Sequence, residues 1–165
     1  MTTRALIAAT IGSATFANVG VLAHAGPLAL ARLAVLGAAL FAVALFDLAE
    51  RRIPNRIVLP AAATCAALTL DTGAPLSLLA GFATILALLI VSLRWPAALG
   101  MGDVKLALLL VLGLDGDALR ALALGLVLAA LAGVALVLRR GRTTWRTSLP
   151  MAPFLVVGAL LTVIA

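Results

Sequence analysis

The chain is a succession of long apolar runs separated by short polar stretches or stretches holding Gly and Pro. A helix needs about 20 apolar residues to cross the hydrocarbon core of a bilayer. Runs of roughly that kind occupy residues 5–23, 28–48, 53–70, 75–93, 119–138 and 149–165, and a shorter one occupies 104–114. The breaks fall at Gly26-Pro27, Ile53-Pro54-Asn55, Asp71-Thr72-Gly73, Trp95-Pro96, Asp115-Gly116-Asp117 and residues 139–148. Gly, Pro, Asn and Asp are the residues that punctuate regular structure. No break leaves room for a soluble domain. The pattern predicts an all-α, polytopic membrane bundle, with a six-helix core over 26–165 and an N-terminal helix within 1–25. Ala and Gly within the runs allow helices to approach closely in lipid.

The first run admits two readings. Arg4, an apolar stretch and then Ala23-His24-Ala25 before Gly26 resemble a signal peptide and its cleavage site. The other reading, a retained first helix, is the one adopted here. Orientation follows from Lys and Arg in short loops. Arg51, Arg52 and Arg56, then Arg94, then Arg139, Arg140, Arg142 and Arg146 fall on one side when every run spans, and Arg4 joins them. The opposite breaks carry Asp71, Asp115 and Asp117, with Arg32 and Arg120 nearby. The basic side is expected to face the cytoplasm.

Composition narrows the chemistry. The chain is 65% hydrophobic and 11% charged, with mean hydropathy +1.26. Soluble domains carry about 25% charged residues, so the solvent around most of this chain is expected to be lipid. The net charge of +6 sits in the short loops, without interleaved aromatics, and there is no Tyr. It reads as a topology signal rather than a nucleic-acid surface. One cysteine, Cys65, and one histidine, His24, leave no intrachain disulfide and nearly exclude a His- or Cys-rich metal site or a Ser-His-Asp triad. No cofactor or metal is expected. His24 and Cys65 are read as structural.

Carboxylates remain. Asp71, Asp115 and Asp117 read as solvated loop residues. Asp47 ends the second run, one turn before Arg51; Glu50 beside it reads as solvated. Asp103 lies in Gly100-Met101-Gly102-Asp103-Val104-Lys105, directly before the fifth run. The alternation of loops puts Asp47 and Asp103 at the same membrane face. Each has a plain explanation alone: Asp47 pairing with Arg51, Asp103 at a helix start where the dipole favours an anion. Two carboxyls at one depth on apolar helix ends are costly unless paired or used. Close aspartates share a proton. The ionised one takes a proton from water; the protonated one polarises a peptide carbonyl and then protonates the leaving nitrogen.

At these residues the sequence resembles the type IV prepilin peptidases, membrane aspartic proteases with a Gly-x-Gly-Asp motif. Asp47 followed after five residues by Ile53-Pro54-Asn55 is similar to the family's first motif, and Gly100-Met101-Gly102-Asp103-Val104-Lys105 to its second. Leu149-Pro150-Met151-Ala152-Pro153 is similar to the Pro-rich start of the family's last helix. The resemblance covers residues 28–165. It implies that Asp47 and Asp103 are the catalytic pair, that a short basic leader is removed from prepilin or pseudopilin precursors, and that the cut is made at the cytoplasmic face of a bacterial cell membrane. Larger members carry a cytoplasmic insert with paired Cys-x-x-Cys motifs and methylate the new N-terminus. This chain has one cysteine and no such insert, so methyl transfer is not expected. Its size resembles the short peptidases of Flp-type, or tight-adherence, pilus systems, with archaeal preflagellin peptidases as the other small branch.

Around the pair, Gly100 and Gly102 would let the backbone bend and a substrate strand approach. Pro54 and Asn55 would set the angle of the helix end that holds Asp47. Lys105 would steady a carboxylate or meet a lipid phosphate. Pro150 and Pro153 would shape the last helix near the site. Arg51, Arg52 and Arg56 read as topology signals and lipid anchors. The competing class is a small transporter or channel with its aspartates in a proton relay. Such proteins more often show internal repeats and charges near the midplane. The third alternative is a non-catalytic scaffold subunit.

Overall fold

The computed structural model describes residues 3–22, 26–69, 75–96, 99–140 and 150–165. Those residues are all-helical: α1 Thr3–Leu22, α2 Pro27–Glu50, α3 Asn55–Thr69, α4 Pro75–Arg94, α5 Met101–Leu114, α6 Ala118–Arg140 and α7 Ala152–Ile164, with a single 3-10 turn at Asp115–Asp117. Each apolar run of the sequence is a helix. Ala23, His24, Ala25 and Asp71 lie outside the described residues. Pro27–Glu50 and the run Met101–Arg139 are long and apolar enough to cross a membrane, and Leu79–Arg94 and Ala152–Ile164 are shorter apolar helices.

Helix boundaries follow from local chemistry. Gly26 precedes α2 in an extended conformation and Pro27 occupies its first turn, where a missing N–H costs nothing. The helix closes at Arg51, which takes the left-handed conformation (φ 51°) and donates its N–H to the Asp47 carbonyl at 3.0 Å. Ile53 and Pro54 then stay outside regular structure, so α3 starts at Asn55 rather than at residue 53. The Ser92 hydroxyl, on the last turn of α4, donates to the Leu99 carbonyl at 3.0 Å and ties the approach to α5 back onto α4.

Two helices form the centre. α2 packs on α1, α3, α5 and α7, and α5 packs on α2, α3, α4, α6 and α7. The core is the apolar stripe of α2 (Leu36, Leu40, Val43), Val58 and Cys65 of α3, Leu106, Leu109, Leu110 and Val111 of α5, and Leu155 and Ala159 of α7. α2 and α5 run antiparallel. Near the start of α2, Leu36 lies so close over Gly113 that a Cβ there would stand 2.7 Å from its methyls. Beyond the end of α2, Ile53 lies over Gly102, at the start of α5.

α1 packs along α2 at a closer approach still. A Cβ on Gly12 would overlap the Gly37 carbonyl, and one on Gly37 would overlap the Gly12 carbonyl. The crossing therefore requires two hydrogens where other residues carry side chains. Gly37→Val is expected to lower the unfolding free energy by about 1–3 kcal/mol, the usual cost of overpacking, read as an earlier thermal transition in detergent. An unchanged transition would mean that α1 does not dock there.

Candidate active site

Asp47 occupies the last turn of α2, on the same stripe as Leu36, Leu40 and Val43. It is 7% exposed. A buried carboxylate requires partners, and Asp47 finds one on another helix. Its Oδ2 accepts the Ala152 N–H at 2.9 Å. Ala152 is the first residue of α7, and Met151 before it supplies no side-chain cap. Pro153 follows and has no N–H to offer. Asp47 thus satisfies an open donor of α7 and places an anion at the positive end of its dipole. This contact brings the start of α7, with Pro153 in its first turn, onto the end of α2. Ala152 itself went unnoticed, because a backbone donor leaves no trace in residue type.

Asp103 sits in the first turn of α5. The sequence pattern placed it before its helix. Gly100 instead adopts an extended conformation as N-cap (φ −71°, ψ 142°), the helix starts at Met101, and the Asp103 N–H donates to the Gly100 carbonyl at 3.0 Å. The favourable interaction of an anion with the helix start therefore holds for Asp103. Asp103 also has Asp47 near enough for their charges to interact.

Two contacts hold the two motif segments together. A Cβ on Gly102 would stand 3.1 Å from the Ile53 Cβ and Cδ1, so a hydrogen there lets Ile53 lie against the start of α5. Lys105 donates its Nζ to the Asn55 Oδ1 at 2.9 Å. Lysine carries only donors, so the amide oxygen is its acceptor. Lys105 was expected to steady a carboxylate or meet a phosphate; instead it joins the start of α5 to the start of α3. Asn55 is more than a turn residue after Pro54, since it receives that bond.

The other acids separate clearly. Glu50 is exposed. Asp117 is exposed and within 3.4 Å of Arg120 one turn on. Asp115 contradicts the expectation of a solvated loop residue. It forms an ion pair with the buried Arg32 of α2, and its side chain is only 16% exposed. The charge pattern identified its side of the bundle but could not reveal its burial. A signal was present, since Arg32 is a charge inside an apolar run and needs a partner. Cys65 is fully buried in the core. Among the described residues, no group of three or more His, Cys, Asp or Glu is arranged to hold a metal ion. A cavity of about 700 Å³ opens between α1 and the last turns of α2, lined by Arg4, Leu45, Leu48 and Glu50 among others; neither Asp47 nor Asp103 lines it.

The fit of Ile53 over Gly102 yields a test. Gly102→Val is expected to destabilise the protein by about 1–3 kcal/mol through overpacking, and adding Ile53→Ala should recover most of the loss. Thermal unfolding of the single and double variants measures this; additive losses would mean that the two residues do not meet.

Comparison with known proteins follows the same residues. A profile of the type IV leader peptidase family matches residues 34–138. No curated protein and no solved structure matches the chain. The matched span holds Asp47, Pro54, Asn55, Gly100, Gly102, Asp103 and Lys105, and ends before Pro150 and Pro153. It covers well over half of the sequence, and the chain belongs to the type IV leader peptidase family.

Proposed function

We propose that this protein is a membrane-embedded aspartic endopeptidase that removes the short basic leader from pilin-like precursors, with Asp47 and Asp103 as its catalytic pair. The observation that carries the reading is that Asp47, buried at the end of α2, and Asp103, in the first turn of the antiparallel α5, stand at one end of the bundle near enough for their charges to interact, within a chain of a peptidase family. In the proposed step, one carboxylate takes a proton from water as its oxygen bonds to the scissile carbonyl carbon. The other, protonated, donates to the carbonyl oxygen. Collapse of the tetrahedral intermediate breaks the C–N bond, and the leaving nitrogen takes up a proton. The products are a leader with a new carboxylate and a shortened precursor with a new amine.

Membrane placement is supported by exposed apolar stripes. Leu79, Leu86, Ile90 and Leu93 follow one face of α4, and Val127, Leu131, Val134 and Leu138 one face of α6. A surface of this kind in water would drive association; in lipid it is the ordinary outer face of a bundle. The proposed architecture is a six-helix core over 26–165 with an N-terminal helix within 1–25. The side holding Asp47 and Asp103 carries the Arg-rich loops, so the reading puts cleavage at the cytoplasmic face of the cell membrane. A precursor would present its apolar segment in the bilayer and its basic leader in the aqueous layer. We propose hydrolysis alone, without methyl transfer.

Cleavage of a precursor with a basic leader and an apolar helix, in lipid vesicles, tests the reading. Asp47→Asn and Asp103→Asn should each lower the rate by about 10²–10⁴-fold, the range for removing an acid–base group, while remaining folded. Asp117→Asn should retain wild-type turnover. Full activity in either dyad variant would remove that aspartate from the mechanism.

A further inference from the structure

At the end of α2 and α5 away from Asp47 and Asp103, three helices converge on one buried cation. Arg32 of α2 is 8% exposed. Its guanidinium forms the ion pair with Asp115, at the C-terminal end of α5, and donates to the Thr69 hydroxyl of α3 at 3.4 Å. The Thr69 hydroxyl has one proton for two acceptors, the Cys65 carbonyl of its own helix at 2.7 Å and the Leu112 carbonyl of α5 at 3.1 Å. The arrangement is poorly suited to stabilise the fold. Among the described residues, Arg32 Nε and Asp115 Oδ1 are buried without a hydrogen-bond partner. Asp115 also has a positive φ of 49°, a conformation that favours glycine. Unsatisfied buried atoms and a strained backbone are each costly, and a buried ion pair seldom offsets its own desolvation. The best-attested use of such a pair is to fix register.

We infer that Arg32 and Asp115 are positioning residues that set the axial register of α2 against α5 and thereby bring Asp47 level with Asp103. This rests on the dyad reading above. Fifteen residues separate Arg32 from Asp47, about 22 Å along a helix, and twelve separate Asp103 from Asp115, about 18 Å. The reach of the arginine side chain spans the difference. Between the two ends the α2–α5 contact is apolar, and apolar packing is non-directional. Leu36 over Gly113 is one point of shape fit in that contact and lies on the same half of α2 as Arg32. A slip of one residue moves a helix by about 1.5 Å and turns it by about 100°, enough to carry Asp47 away from Asp103 and from the Ala152 N–H. An ion pair admits one partner and does not tolerate that slip.

The test uses the full chain in lipid vesicles with two readouts. Spin labels on Leu48→Cys and Met101→Cys, in a Cys65→Ser background, report the distance between the helix ends at the dyad. Precursor cleavage reports kcat and KM per folded enzyme. Asp115→Asn and Arg32→Gln should broaden the distance distribution and lower kcat by about 10–10²-fold, the effect of an ångström-scale misplacement, with KM nearly unchanged. The double variant Arg32→Gln/Asp115→Asn, which buries no unpaired charge, should fold well and still show the broad distribution and low kcat. Arg32→Lys keeps the charge and should retain most activity. A purely structural pair would give the opposite result in the double variant, with stability, distance and kcat all restored, and that overturns the inference. Unchanged distances in the single variants overturn it as well. Failure of the wild-type protein to cleave would count against the peptidase reading, while the distance measurement would still decide the register.

Discussion

The structure depends on the antiparallel packing of α2 against α5. These two helices contact nearly every other element, and their buried residues make up half of the core. Their opposed directions bring the C-terminal end of one beside the N-terminal end of the other, and this puts Asp47 and Asp103 in one place. Side-chain size governs the fit: Gly113 admits Leu36 near one end and Gly102 admits Ile53 at the other. Polar contacts then act where apolar packing is indifferent to position. Asn55 and Lys105 join α3 to α5 beside the aspartates, and Arg32, Thr69 and Asp115 join α2, α3 and α5 at the far end.

Much of this was legible in the sequence because lipid simplifies the code. Runs long enough to cross a bilayer stand out from their breaks, and Gly, Pro and Asn mark where helices stop. Alternation of the runs alone brings the end of α2, with Asp47, beside the start of α5, with Asp103. Depth and rotation are what a run of leucines conceals. Asp115 was therefore read as a solvated loop residue, when it turns inward to meet Arg32. Asp103 was read as preceding its helix, because a Gly-Met-Gly segment resembles a loop until Gly100 is seen as its cap. Lys105 had no determined partner, since a flexible cation near a carboxylate has several reasonable ones. The Ala152 N–H bonded to Asp47 had no signature at all.

The site as described resolves a physical difficulty. A carboxylate at the end of an apolar helix requires compensation, and Asp47 receives it from the open end of α7. The same contact holds Asp47 in a fixed orientation. Asp103 is held by the start of its own helix. The two aspartates are supported from different directions, α7 for one and α5 for the other.

The most direct measurement is a double-mutant cycle on cleavage, comparing Asp47→Asn, Asp103→Asn and the double variant under long incubation with mass-spectrometric detection of the released leader. Groups that work as one unit are grossly non-additive. A pair that works as one unit gives a double variant no slower than the slower single variant. Losses that multiply would mean that the two aspartates act independently, and would contradict the dyad.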